Sequence, residues 1–241
     1  MHDTALAAGK LFFETYGRKG FGSVVDVGSQ SVNGGLRPFA GSARYVGLDL
    51  EAGPNVDLVL DKPGVFPLED ASFDAAITTS VFEHDPFFWR TFLEMARVVR
   101  PGGLIYVNAP SNGEVHRYPF DCWRFYPDAG KALALWAEEN GLACTLVESF
   151  LGGRMKDKWT DTVMVFVRDR VEAWDGPFMA DRTPGAHNVW KVGAKDLTEF
   201  RRETEDMRII RTRTWAGVSR DLEKAVKRAF RGDKKKTKAA G

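Results

Sequence analysis

From residue 23 onward the chain strings together short, β-branched runs that are apolar on both alternating positions, and this limits its fold more than any other feature. Ser23–Val27 (SVVDV), Arg44–Leu50 (RYVGLDL), Val56–Leu60 (VDLVL), Phe73–Thr79 (FDAAITT) and Leu104–Ala109 (LIYVNA) each read as a strand. A strand with one wet face alternates apolar and polar residues. Runs apolar throughout suit sheets covered on both faces, as parallel sheets are. Between the fourth and fifth runs, Phe87–Val99 carries apolar residues at helical spacing and stops at Arg100-Pro101-Gly102-Gly103, a helix-ending turn. Asp128 is expected to cap a helix running to Asn140 and closed by Gly141, with further strands at Leu142–Phe150 and Thr162–Val167. Alternation of this kind predicts an α/β fold with a doubly wound, mostly parallel sheet.

The flanks differ. Ala5–Tyr16 predicts a short amphipathic helix packing through Leu6, Phe12 and Phe13. After Arg168, residues 169–196 mix Pro, Gly and Asp with Trp174, Phe178 and Trp190, and predict an irregular wrapping segment. Charged helices are expected at Asp196–Arg208 and Arg220–Phe230, then a disordered tail. The chain therefore divides into a domain over residues 1–168, a C-terminal extension over 169–231 and a basic tail over 232–241.

Bulk composition excludes more than it assigns. With 241 residues, 44% hydrophobic, 28% charged and a formal net charge of +1, the chain is ordinary for a soluble protein and shows no global pull toward polyanions. No stretch reaches the roughly 20 apolar residues of a membrane span, and the N-terminus lacks a secretory pattern, so a cytoplasmic location with reduced Cys122 and Cys144 is expected. Neither cysteine has the Cys/His spacing that zinc needs, and no metal site is expected.

The most informative segment is Val24–Gly35, VVDVGSQSVNGG, in which a carboxylate ends the first strand and a glycine-rich stretch follows. Glycine lets backbone approach a nucleoside-type ligand, although plain strand-to-helix turns use it equally. Asp49 ends the next strand, where a carboxylate can accept hydrogen bonds from both hydroxyls of a ribose; a solvated strand-end acid is the alternative.

These segments resemble the motifs of class I S-adenosyl-L-methionine-dependent methyltransferases, particularly the type-11 methyltransferase domain. VVDVGS resembles the first motif and YVGLDL the second; VLDKPGVFPLEDASFDAAITTSVFEH and RVVRPGGLIYV follow in the family's order over residues 21 to about 110. The resemblance implies a Rossmann-like methyltransferase fold with S-adenosyl-L-methionine as cofactor. It places Asp26, Gly28 and Ser29 at the methionine end, Asp49 on the ribose, Leu50 on the adenine, Asp61 near the adenine amine and Ser80 on the floor. In place of the family's tighter glycine repeat, Ser29, Gln30 and Ser31 precede Gly34 and Gly35, which predicts a longer loop over the cofactor.

Methyl transfer from a sulfonium needs an in-line nucleophile and, for a hydroxyl, removal of its proton. Candidate groups belong at the carboxyl ends of the fourth and fifth strands. His84, within Glu83-His84-Asp85, is one proton acceptor; the alternative is that the Glu83-His84 pair caps the helix beginning near Pro86 and holds the loop. His116–Gly130 (HRYPFDCWRFYPDAG) is dense in aromatic and ionisable groups, offering His116 or Asp121 as base and Tyr118, Trp123, Arg124 and Tyr126 as acceptor-binding residues. Asp121 and Arg124 could equally form a local ion pair with Trp123 in the core. Met155–Asp161 either closes over the same opening or is a charged turn.

The expected acceptor is a small molecule or saccharide. Lys224, Lys227, Arg228, Arg231, Lys234, Lys235, Lys236 and Lys238 would suit nucleic acid or an anionic surface, but a solvated tail is the simpler expectation. RNA or protein methylation and a non-catalytic cofactor-binding subunit are the competing functions, and the C-terminal region could pack on its own domain or across a homodimer.

Overall fold

The protein is described from a computed structural model, which covers residues 2–31, 34–156, 158–215, 218–219 and 222–223. The basic cluster from Lys224 onward, most of the helix expected at Arg220–Phe230, and Asn33 in the glycine-rich loop lie outside the described residues. The described residues up to Arg201 form one compact unit, and those from Arg202 onward belong to a second.

Helix α1 (Asp3–Tyr16) precedes β1 (Ser23–Val27), β2 (Arg44–Asp49), the two-residue β3 (Leu58–Val59) and β4 (Phe73–Thr79). Then follow α2 (Phe88–Val98), β5 (Val99–Pro110), α3 (Asp128–Glu139), β6 (Thr145–Leu151), β7 (Asp161–Val167) and β8 (His187–Lys191). The eight strands make one sheet in the order β3-β2-β1-β4-β5-β7-β6-β8. Every ladder from β3 through β5 is parallel, while β7 runs antiparallel to both β5 and β6, and β8 antiparallel to β6. The α/β class and mostly parallel sheet read from the apolar runs are those of the structure.

Period-two alternation sorts each strand between two cores. Val25, Val27, Ala76, Ile105, Val107, Met164 and Phe166 face one side and pack with Phe92, Met95 and Ala96 of α2 and Leu133 and Ala137 of α3. Val24, Ala75, Ile77, Tyr106, Val163 and Val165 face the other and pack with Phe12 and Phe13 of α1 and with Met179 and Ala180. Both faces are covered, which is why these strands lack polar alternation.

Local expectations shift in three places. Asp128 is the first residue of α3; the cap position belongs to Pro127, whose φ of −53° and ψ of −33° are already helical, and the Asp128 charge still favours the helix's positive end. Within 169–196, β8 completes the sheet edge, with Ser149 opposite Trp190. Pro184-Gly185 and Gly193 bracket so short a run that alternation cannot show. Residues 196–204 are not helical: Thr198 is held extended by paired bonds to Val189, and the helix covers 205–215, where the Thr204 hydroxyl accepts the Met207 N–H. Among the described residues no helix is long and apolar enough to cross a membrane.

Glu148 fastens the α1 face. Fully buried on β6, its carboxylate accepts the Tyr16 hydroxyl and the N–H groups of Met179 and Ala180, and burial raises its pKa. Glu148→Ala leaves three buried donors without an acceptor. It is expected to lower unfolding free energy by at least about 3 kcal/mol, read as a fall in the urea midpoint; a loss under about 1 kcal/mol would show that the three donors find other acceptors.

Candidate active site

The strand order reverses between β1 and β4: the chain leaves β1 toward β2 on one side and β4 toward β5 on the other. In open α/β sheets, ligands bind in the crevice outside the strands' carboxyl ends at such a point. Here the crevice is bounded by Gly28 and Ser29 after β1, Asp49 and Leu50 after β2, and Ser80 after β4.

Gly28 is required twice. Its φ is +77°, and a Cβ there would stand 2.1 Å from Val81 Cγ2. The next residues turn toward β2: the N–H groups of Gly28 and Ser29 donate to Leu48 O, and the Gln30 N–H donates to Asp49 Oδ2 at 2.9 Å. Asp49 Oδ1 accepts the Leu50 N–H at 2.7 Å, so each carboxylate oxygen keeps a lone pair for a further donor. Leu50 is 47% exposed beside it, and Asp61 is exposed. Asp26, near the end of β1, is almost fully buried, and its Oδ2 accepts the Tyr45 hydroxyl at 2.6 Å.

A nucleoside-type cofactor fits these residues. The buried hydroxyls of Thr79 and Ser80, at the end of β4, have no hydrogen-bond partner, and Ser80 takes a left-handed φ of +55°. Buried polar atoms are ordinarily satisfied, so unmet hydroxyls at the switch point are consistent with a polar ligand lying there.

The acceptor-side residues converge on the adjoining loops. The N–H groups of Cys122 and Trp123 donate to Glu83 O, His84 Nδ1 donates to Phe120 O at 2.6 Å, and the Trp123 indole donates to Asp85 O at 3.0 Å. His84 and His116 meet edge to face, centroids 4.9 Å apart, and Trp159 contacts His116 at the same distance. Trp159 thus brings the Met155–Asp161 segment to the site; it packs on Gly113, where a Cβ would fall 2.0 Å from the indole. Asp121 and Arg124 form a two-pronged ion pair at 2.6 and 2.9 Å, which holds the Asp121 pKa down to about 2. Trp123 is 38% exposed, and Tyr118 and Tyr126 are exposed.

Glu83, not singled out from the sequence, lies at the centre. It is fully buried, neither carboxylate oxygen has a hydrogen-bond partner, and burial, with Asp161 adding to it, raises its pKa to about 8. The helix-capping role expected of the Glu83-His84 pair belongs instead to Asp85, whose carboxylate accepts the Phe87 N–H and the Thr91 hydroxyl at the start of α2. Arg37, Asn55 and Asp57 also belong to the site without a sequence motif that marks them. Arg37 donates to Asn55 and Asp57, and Asn55 Nδ2 donates to Ser29 O, fastening the loop after β1. In the sequence, Gly53-Pro54-Asn55 marks this region only as a turn.

Residues 37–107 match the family model described as a methyltransferase domain. An uncharacterized methyltransferase of Mycobacterium leprae is 31% identical over 118 residues, 43% of each chain. The phthiotriol/phenolphthiotriol dimycocerosates methyltransferase 1 of Mycobacterium ulcerans is 34% identical over 91 residues, 33% of this chain and 34% of that one. The chain therefore spans under half the length of these relatives. In fold it resembles the 1,6-didemethyltoxoflavin-N1-methyltransferase of Burkholderia thailandensis, solved with 1,6-didemethyltoxoflavin and S-adenosylhomocysteine: TM-score 0.56 and 18% identity, covering 70% of this chain and 80% of that one. Residues 37–107 are thus similar to a methyltransferase domain, and the sheet has the fold of a solved methyltransferase.

Asp26 gives this site a pH signature. Burial lifts its pKa from 3.8 to about 7, so the folded protein holds a proton that the unfolded chain has released, and stability falls as pH rises between those values. Asp26→Asn keeps an acceptor for the Tyr45 hydroxyl but cannot ionise. Relative to the parent, its melting temperature is expected to rise progressively from pH 4 to pH 7; a pH-independent difference would show that Asp26 is not buried in the folded state.

Proposed function

We propose that this chain transfers a methyl group from S-adenosyl-L-methionine to a hydroxyl of a small molecule or saccharide. The observation that carries this is the meeting of two imidazoles and a set of exposed aromatic rings at the carboxyl ends of β4 and β5, beside the crevice that suits the cofactor.

Asp49 would accept the ribose hydroxyls through its remaining lone pairs, with Leu50 against the adenine face and Asp61 near the adenine amine. Asp26, Gly28 and Ser29 would lie at the methionine end and Ser80 beneath it. The cofactor supplies an electrophilic methyl: the O–CH₃ bond forms as the C–S bond breaks, the bonding pair remaining on sulfur.

The protein must then orient the acceptor and accommodate its hydroxyl proton. His84 and His116 are the residues proposed to face that oxygen. A carbonyl only accepts, so the bond to Phe120 O fixes the proton of His84 on Nδ1 and leaves a lone pair at Nε2. Asp121, bound to Arg124 and to the His116 N–H, positions the loop, in place of the base role considered from the sequence. Tyr118 and Tyr126 offer exposed rings. Trp123 and Arg124 border an aromatic groove of 430 Å³ completed by Phe88, Trp89 and Trp136, a lining suited to flat, partly apolar acceptors such as sugar rings. The Mycobacterium ulcerans relative is named for a triol, an acceptor class bearing hydroxyls.

Two substitutions separate the halves of the site. Asp49→Ala is expected to weaken S-adenosylhomocysteine binding at least about tenfold, the loss of charged hydrogen bonds, measured by calorimetry. His116→Ala is expected to keep that affinity while lowering kcat about 100-fold or more in a cofactor-consumption assay over hydroxylated metabolites and sugars. Full turnover in His116→Ala would remove the imidazole from the reaction.

A further inference from the structure

Glu83, His84 and His116 present an electrostatic problem that the polypeptide leaves unsolved. One ligand atom from each lies within 4.8 Å of the others. The Glu83 carboxylate is fully buried with no hydrogen-bond partner, and its Oε1 stands 3.7 Å from His84 Nε2. That separation is too long for a hydrogen bond. With the His84 proton fixed on Nδ1 by Phe120 O, Nε2 turns a lone pair toward a carboxyl group that stands too far off to share a proton with it. His116 Nδ1 lies 3.2 Å from Glu114 O and 3.5 Å from Asp121 Oδ2; a proton held on Nδ1 by that carbonyl would leave Nε2 a lone pair to offer an ion.

This is the pattern of metal-ligating histidines, each of which characteristically gives its second ring N–H to a backbone carbonyl or carboxylate while the other nitrogen faces the ion. Two imidazoles and one carboxylate, with positions left open, suit a divalent first-row transition metal better than calcium or magnesium, which prefer all-oxygen shells. Charge agrees: Asp121 and Asp161 both act on Glu83, and Arg124 is the cation that opposes them. Arg124 is itself committed to Asp121.

We infer that Glu83, His84 and His116 form a binding site for a divalent first-row transition-metal ion. An ion there would draw the three donor atoms closer than they stand, since ligand bonds are about 2.0–2.2 Å. Trp159 lies against His116, and Tyr118 stands edge-on to His84 at 6.5 Å, so the site opens toward the acceptor loop. The ion's use rests on the methyl-transfer reading, with the imidazoles then acting as its ligands in place of proton acceptors: a bound acceptor hydroxyl would ionise more readily, releasing its proton to solvent. The binding itself does not rest on it.

The test uses the full chain, free of any affinity tag and dialysed against chelator, titrated with Co²⁺ and followed by visible d–d absorption. A saturable transition at one equivalent is expected, weakened about 100-fold or more in Glu83→Gln and in the half-exposed His116→Ala. His116→Ala should bind S-adenosylhomocysteine as the parent does, which reports an intact fold if Glu83→Gln does not fold. No saturable transition, or one unchanged in His116→Ala, would overturn the site. Cobalt binding in a protein that does not bind S-adenosylhomocysteine would support the metal site and overturn the methyl-transfer reading instead.

Discussion

The whole carboxyl edge of the sheet depends on Val81 occupying the space where a Cβ of Gly28 would stand. Because Gly28 has no side chain and takes a left-handed φ, the segment after β4 can settle directly against the end of β1. From that contact the remaining placements follow. Glu83 O receives two N–H groups of the acceptor loop, and the Asp85 carboxylate starts α2 while its carbonyl receives the Trp123 indole. The loop after β1 and the 116–130 segment are therefore joined through residues 80–85. A side chain at position 28 would move both loops, and its effect would not be confined to the cofactor crevice.

Buried charge is distributed unevenly across this edge. Asp121 lies next to Arg124 in a geometry that favours its ionised form, and the pair pins His116 through the Asp121–N–H bond. Removing either partner would strand a desolvated charge, a larger penalty than the pair's own net contribution to stability. Glu83, a few residues away in space, has no such partner and sits in a region that disfavours its charge. On the α1 face Glu148 binds three donors, whereas Glu83, buried with neither carboxylate oxygen hydrogen-bonded, stands beside two histidines. Unpartnered buried charge costs stability, and such costs concentrate where a ligand relieves them.

The strands of the parallel half were legible because burial on both faces leaves a local trace: Val24, Val25 and Val27, or Ala75, Ala76 and Ile77, are apolar whichever way they point. The helix α2 was legible for the same reason at a different period. β8 left no such trace, since only Val189 and Trp190 of its five residues are large and apolar and its pairing partner lies some forty residues away on β6. The site divides similarly. Asp49 and Gly28 stand in motifs whose spacing is local, whereas Glu83 and His116 are brought together by a loop returning over thirty residues later, and adjacency of that kind has no signature in spacing. Glu83 beside His84 reads as a helix cap in sequence, and only the structure shows Asp85 taking that role.

The loop after β1 shows how the chain accommodates its departure from a tight glycine repeat. Among its described residues there is a single 3₁₀ turn, Arg37–Phe39, and no α-helix before β2. Backbone groups that a helix would satisfy internally are met from outside: Ser29 O by the Asn55 amide, Ser31 N by Pro54 O, and Gln30 N by Asp49. Asn55 holds a left-handed φ of +75°, and Arg37 clamps both it and Asp57 while lying over the Tyr45 ring. Tyr45 in turn donates to buried Asp26. The carboxylate that ends β2 is thus oriented by the very loop it helps to hold, so Asp49 is positioned by the chain's own hydrogen bonds before any ligand arrives. Preorganisation of this kind reduces the ordering cost of binding, and it replaces the rigidity that a helix at this position would have supplied.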